Sequence, residues 1–325
     1  MTRGRLPDSL ADGLRETFGA RLQEGAELAS HTSARLGGTA DFLIVARSSA
    51  ELSQTAQELW AAQAPFRVLG AGSNVLISDA GVREVVVLNQ ASEVRFSEPA
   101  GEPQIWAESG VSFGSLARRA AERGWSGLEW AATVPGTVGG AVVGNAGAHG
   151  SDMRDNLETA EILQPGGQAE GWSVDRLEYG YRDSWLKRNP GQAVVLSATL
   201  RLERSDTETT KAKVAEYAAQ RQRTQPPGAS LGSMFKNPPG DHAGRLIEAA
   251  GLKGFRSGQA EISAKHANFF INLGGATAGD VWTLIQTARR RVAEQFGVTL
   301  EMEVQLLGDW SAEQVGSMAG GGGAA

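Results

Sequence analysis

Leu69-Gly70-Ala71-Gly72-Ser73-Asn74-Val75-Leu76 lies where two short apolar runs meet, Phe66 to Leu69 and Val75 to Ser78. Each run reads as a strand, so the glycines fall in the turn between them. Gly70 and Gly72 permit a tight turn whose N–H groups converge on one concavity, an arrangement that holds an oxyanion such as phosphate. Ser73 and Asn74 add donors. No Gly-Lys-Ser/Thr follows, which excludes a P-loop. A strand follows rather than a helix, which excludes the Rossmann fingerprint. A glycine-rich hairpin with no ligand is the competing reading.

Working outward, Phe42-Leu43-Ile44-Val45 reads as a buried strand and Glu84 to Leu88 as another. Ser49 is placed to cap a helix with Leu52, Ala56, Leu59 and Trp60 on one face. Residues 31–90 therefore read as an alternating α/β unit, after a lead-in at 1–30. Residues 91–205 are richer in short strands: Gln104 to Ala107, Glu158 to Leu163, Ser173 to Leu177 and Ala193 to Leu202. A helix from Ser115 to Arg123 stops at Gly124. A third region, 206–308, holds a polar helix, Thr207 to Arg223, and a short helix that Asp241 is placed to cap. A longer helix follows, opened by Thr277 and Asp280 in a capping box and closed by Gly297. Val298 to Leu307 then alternates like a half-buried strand. Residues 309–325 are expected to be a disordered Gly/Ala-rich tail.

A second glycine cluster runs from Val134-Pro135-Gly136-Thr137-Val138-Gly139-Gly140-Ala141 through Asn145-Ala146-Gly147-Ala148-His149-Gly150. Val134, Val138, Val142 and Val143 make it too apolar for a solvated linker. Buried backbone needs hydrogen-bond partners, and a large, flat, polar ligand offers both partners and a packing surface. Diphosphate on one cluster and a ring system along the other point to a dinucleotide such as FAD. An unusually glycine-rich core loop is the alternative.

Composition narrows the chemistry. Forty-two of 325 residues are Gly and none is Cys. That excludes disulfides, thiolate metal sites, Fe–S clusters and a Cys nucleophile. The four histidines show no metal-ligand spacing. The net charge is −6 with no long basic run, so no nucleic-acid partner is expected. No stretch of membrane-spanning length and no signal peptide is visible, so no membrane partner and a cytoplasmic location are expected.

With these segments stand Thr32-Ser33 through Leu36-Gly37-Gly38, Gly127-Leu128-Glu129, Tyr181-Arg182-Asp183-Ser184, Gly232-Ser-Met-Phe-Lys-Asn-Pro238 and Leu300-Glu-Met-Glu-Val304. In that order over residues 31–308 the chain resembles the UDP-N-acetylenolpyruvoylglucosamine reductase family. The short spacing from Arg182 to Ser233 is similar to the more compact of its two subclasses. The resemblance implies an α+β fold: two FAD-binding subdomains of the vanillyl-alcohol-oxidase type, 31–90 and 91–205, and a C-terminal α+β substrate domain. It implies FAD, NADPH as reductant and a UDP-sugar enolpyruvyl ether as substrate; noncovalent FAD and a monomer are expected. His149 stands where the family more often has Tyr, and Thr133 where a Gly is expected.

The residues bear on that chemistry separately. Reducing an enol ether needs a hydride donor, a proton donor and a group that stabilises charge on the carboxylate. By resemblance the proton donor is Ser233, and the charge-stabilising pair is Arg182 with Glu303. Read without the resemblance, Ser233 is equally a turn serine. Arg182 equally pairs with Asp183 or Glu178, and Glu303 is one of two same-face carboxylates with Glu301. Cofactor contacts are expected from Gly70, Ala71, Gly72, Ser73, Asn74, Val75, Leu76, Pro135, Gly136, Gly139, Gly140, Ala141, Asn145 and Ala146. Substrate contacts are expected from Tyr181, Lys236, Asn237, Lys265 and His266. From Ser233 to Arg256 the segment holds four cations, Lys236, Arg245, Lys253 and Arg256, against Asp241 and Glu248, a patch suited to a diphosphate. An FAD-dependent oxidase of a hydroxy acid or sugar on the same fold is the alternative activity.

Overall fold

The computed structural model describes residues 5–311. Its first sheet has four strands in the order Leu22–Glu27, Thr39–Ala46, Val82–Asn89, Phe66–Leu69. The first pair is antiparallel and the other two pairs are parallel. Within the expected lead-in, 1–30, the described residues contribute to this unit. Leu22–Glu27 is an edge strand of this sheet, and Leu14 and Phe18 of the helix Asp8–Phe18 are buried in its core. The polar face of that edge strand hides its sheet pairing from a search for apolar alternation.

A second sheet of five antiparallel strands runs Glu170–Trp172, Leu157–Leu163, Val194–Arg201, Gln104–Glu108, Val94–Ser97. The helix Ser49–Ala61 joins the two layers, because Leu52, Ala56 and Leu59 share a core with Ile44 and Val85 on one side and Leu163, Val194 and Leu196 on the other. Its cap is Ser48, not Ser49: the Ser48 hydroxyl accepts from the Glu51 N–H at 3.1 Å. The helix expected from Ser115 spans Phe113–Ala121. Ser173 to Leu177 is not a strand. The strand is Glu170–Trp172, and a helical turn, Val174–Leu177, follows and buries Leu177.

The third unit is a four-stranded antiparallel sheet, Ala229–Ser233, Phe269–Asn272, Ala260–Ile262, Arg256–Ser257. It is covered by the helix Ala278–Phe296, which has the expected Thr277/Asp280 capping box. Asp79, from the loop after Val75–Ile77, accepts from the N–H groups of Ala278 and Gly279 at 2.8 Å each, tying this helix to the first unit. Asp241 does not cap the helix Ala243–Ala249. It pairs with Arg245, while the Asn237 side chain accepts from the Ala243 N–H at 3.1 Å.

The chain between Glu301 and Leu307 is not one strand. Lys236 N–H donates to the Glu301 carbonyl and Glu303 N–H to the Met234 carbonyl, both at 2.9 Å, so 301–303 lies antiparallel to 234–236. Gln305–Leu307 then runs parallel to Val75–Ile77. The alternation seen in the sequence persists through this change of partner. Trp310, expected in the tail, is buried against Trp282. The rest of the expected tail, 312–325, lies outside the described residues. No helix among the described residues is long and apolar enough to cross a membrane.

Candidate active site

The two glycine clusters face each other. A Cβ on Gly70 would lie 2.7 Å from the Thr137 hydroxyl, and one on Gly136 would lie 2.8 Å from the Ser73 hydroxyl. A side chain at either position would force Thr137 or Ser73 to shift, and at Gly136 a φ of +114° favours glycine as well. Gly72 is constrained by the chain itself. Its φ is +56°, and a Cβ there would strike the His31 carbonyl at 2.2 Å. The chain's own crossing at His31 demands that glycine.

Among the described residues, none of the backbone N–H groups from Gly70 to Asn74 has an acceptor in hydrogen-bond geometry. Gly72 is buried all the same. Five consecutive unpaired donors beside a second glycine loop fit a diphosphate. The second cluster is not all loop: Val138–Gly144 is a helix whose cap, Thr137, accepts from the Gly140 N–H at 3.3 Å, and Asn145 ends it with φ +41°. The Asn145 amide holds Asp152 and the Gly180 carbonyl at 3.0 Å each, an anchoring role that composition did not disclose.

Asn74 links the cradle to the last segment. Its amide donates to the Glu303 carbonyl at 3.2 Å, and its own carbonyl accepts from the Gln305 N–H at 3.0 Å. Glu303 is thus fixed between Asn74 and Met234, and Met234 follows Ser233. The Ser233 hydroxyl, half-buried at the end of its strand, has no partner among the described residues.

The two carboxylates that alternation left equivalent are now distinct. The Glu301 side chain is 70% exposed and pairs with Lys236 at 2.6 Å; that of Glu303 is 18% exposed and meets Arg182 Nε at 3.2 Å. Asp183 and Glu178, the other partners open to Arg182, are both taken by Arg188 at 2.5 and 2.6 Å. Arg182 also donates to the Gly147 carbonyl of the second cluster. Burial pushes the Glu303 carboxyl above the usual carboxylate range, against the pull of Arg182, Lys187 and Lys236.

The remaining expected residues divide. Tyr181 is 53% exposed, with the Arg182 guanidinium 5.3 Å from its ring centre. Lys236 is mostly buried beside Glu301, whereas Asn237 is occupied as the cap described above. Lys265 does not join the Arg182–Glu303 group. It lines a 650 Å³ cleft with Arg118, Thr133, Pro135 and Arg221, and donates to the Gln222 carbonyl. His266 packs its ring on Phe269 and sits against Gly244, and burial lowers its pKa.

Residues 222–307 match the family described as UDP-N-acetylenolpyruvoylglucosamine reductase, C-terminal domain, and residues 40–170 match the FAD binding domain family. A UDP-N-acetylenolpyruvoylglucosamine reductase of Chloroflexus aggregans is 42% identical over 297 residues, covering 90% of this chain and 100% of that one. The chain belongs to the UDP-N-acetylenolpyruvoylglucosamine reductase family. A Bacillus velezensis reductase of that name is 39% identical, covering 93% of this chain and 99% of its own. The crystal structure of the Thermus caldophilus reductase superposes with a TM-score of 0.75 at 36% identity, covering 88% and 99% of the two chains. This reductase-family chain is accordingly an oxidoreductase and a flavoprotein with FAD as its cofactor. Its fold is an FAD-binding domain followed by the family's C-terminal domain, with mixed helix and strand.

Lys187 escaped the sequence reading. Its amine is half-buried and donates to the Arg182 carbonyl at 2.8 Å. A lysine five residues after an arginine carries no motif, and only the turn between them brings the two together.

Proposed function

We propose that this chain reduces the enolpyruvyl ether of UDP-N-acetylglucosamine to the lactyl ether, UDP-N-acetylmuramate, for peptidoglycan synthesis, with NADPH as reductant. The carrying observation is the Arg182–Glu303 pair on the segment beside Ser233, in a chain with an FAD-binding domain. The diphosphate of FAD would be held by the N–H groups of Gly70 to Asn74, with Gly136 to Ala141 and Asn145-Ala146 alongside. FAD, when bound, supplies hydride for C3 of the enolpyruvyl group.

The chain's own residues do the rest. Arg182 presents a planar fork to the pyruvyl carboxylate, the geometry that best fixes such a group. Glu303 holds that fork in place and shares in polarising the carboxylate, so that charge developing there meets a preorganised partner. Ser233, whose hydroxyl is free of protein partners, gives its proton to C2. Lys236 and Tyr181 border the path of the UDP moiety. Cytoplasmic location and action as a monomer belong to the same reading.

The test is anaerobic. NADPH should bleach the yellow protein, and the enolpyruvyl substrate should restore the colour with one lactyl ether formed per flavin. Reoxidation by oxygen alone, with no lactyl product, would overturn the reading in favour of the oxidase.

A further inference from the structure

We propose that Lys187 is a positioning residue that aims the Arg182 guanidinium by holding the Arg182 carbonyl in a left-handed turn. The proposal deepens the functional reading above and rests on it for the role of Arg182. Arg182 has φ +54°, a conformation that side chains bearing a Cβ avoid unless the surroundings impose it. The turn is closed by Gly180 N–H to Asp183 carbonyl at 3.0 Å and by the reverse bond at 3.3 Å. The Asp183 N–H of the longer bond shares one peptide plane with the Arg182 carbonyl, so the turn holds that plane on one side. Lys187 Nζ holds it on the other, at 2.8 Å from the Arg182 oxygen.

Lys187 is itself held from behind. It lies in the helical turn Trp185–Arg188, capped by Ser184. The Ser184 hydroxyl accepts from the Lys187 N–H at 3.1 Å and donates to the Val143 carbonyl at 2.6 Å. Val143 belongs to the helix of the second glycine cluster, so the cluster, Ser184, Lys187 and Arg182 form one chain of contacts. At its end Arg182 reaches both Gly147 and Glu303. A lysine used for surface charge would be solvated or ion-paired. This one is half-buried, and among the described residues no carboxylate lies within ion-pair distance of it.

The charged groups around it are Lys236, Glu303, Asp183 and Glu301. Asp183 is engaged by Arg188, Glu301 by Lys236 and Glu303 by Arg182, and of the three carboxylates Glu303 favours the Lys187 charge most. Burial lowers the Lys187 pKa, with Lys236 adding to the fall. Its charge in turn favours ionised Glu303. Losing Lys187 therefore leaves the Arg182 peptide held only by the longer turn bond and moves Glu303 further towards its neutral form.

The test compares Lys187→Met and Lys187→Arg in the FAD-loaded enzyme. In K187M, reoxidation by the enolpyruvyl substrate should slow on the order of 10²-fold, the scale of a misplaced binding group. Flavin reduction by NADPH should stay within roughly twofold, and K187R, which keeps charge and donor, should recover most of the loss. Two further readouts need no substrate. The Glu303 carboxyl, identified by its disappearance in E303Q, should titrate at higher pH in K187M than in wild type. A crystal structure of K187M should show Arg182 out of the left-handed region. An unmoved Glu303 titration together with a left-handed Arg182 in K187M would overturn the proposal, whatever substrate the enzyme reduces. A wild-type enzyme inert towards the enolpyruvyl ether would instead sink the functional reading while leaving these two readouts to decide this one.

Discussion

Arg182 Nε stands 3.2 Å from Glu303 Oε1, across 121 residues of sequence. The contact joins the turn at 180–183, which follows the helical turn Val174–Leu177, to the last segment of the C-terminal domain. Arg188 removes the two nearby carboxylates that would compete for Arg182. Arg182→Lys keeps the charge but loses the fork, replacing the two separate nitrogens that reach Glu303 and the Gly147 carbonyl by one. Substrate-driven flavin reoxidation in R182K is expected to fall on the order of 10²-fold, with FAD content unchanged. Stopped-flow absorbance of the prereduced enzyme measures it.

Ser233→Ala separates the half-reactions. Among the described residues the hydroxyl has no partner to lose, so the fold should tolerate the change. Flavin reduction by NADPH should persist, while reoxidation by substrate slows by roughly 10²- to 10⁴-fold, the range for losing a proton donor. Equal losses in both half-reactions would show that Ser233 only shapes the pocket.

Glu303 gives a pH signature in stability. Its folded pKa lies above the unfolded value because burial disfavours the charged form. Its stabilising contribution is therefore full below the ordinary Glu range and is lost as pH rises through the raised folded value. Glu303→Gln does not ionise and escapes that loss. The melting temperature of E303Q relative to wild type should rise from acid to neutral pH; a constant difference would mean that Glu303 titrates normally.

Much of this was legible in the sequence, and what was not has physical causes. The two glycine clusters could be found because glycine in such density has few other uses. That they touch through Thr137 and Ser73 could not be read from either one. Alternation placed Glu301 and Glu303 on one face, but only the register against 234–236, which sets Glu301 beside Lys236, and the approach of Arg182 to Glu303 tell them apart. Leu22–Glu27 was missed because an edge strand with a polar face shows little apolar pattern. Ser173 to Leu177 misled because five residues carry too little period to separate a turn of helix from a strand.

Two glycines of the cradle region should part company on substitution. A Cβ at Gly72 meets the His31 carbonyl at 2.2 Å on a backbone with φ +56°. Relief needs a shift of the main chain, so Gly72→Ala is expected to cost roughly 1–3 kcal/mol of stability with or without FAD. Gly140 is different: a Cβ there finds only the Thr137 hydroxyl at 3.5 Å, an ordinary contact. The apoprotein should bear Gly140→Ala within about 1 kcal/mol, the usual effect of Gly-to-Ala in a helix. If the second cluster forms one wall of the FAD site, the added methyl enters ligand space and FAD binding weakens. Urea unfolding of the two apoproteins and flavin titration of both variants measure the four quantities. Equal FAD affinity in G140A and wild type would remove Gly140 from the cofactor wall, and a stable G72A would break the argument that the chain crossing at His31 requires glycine.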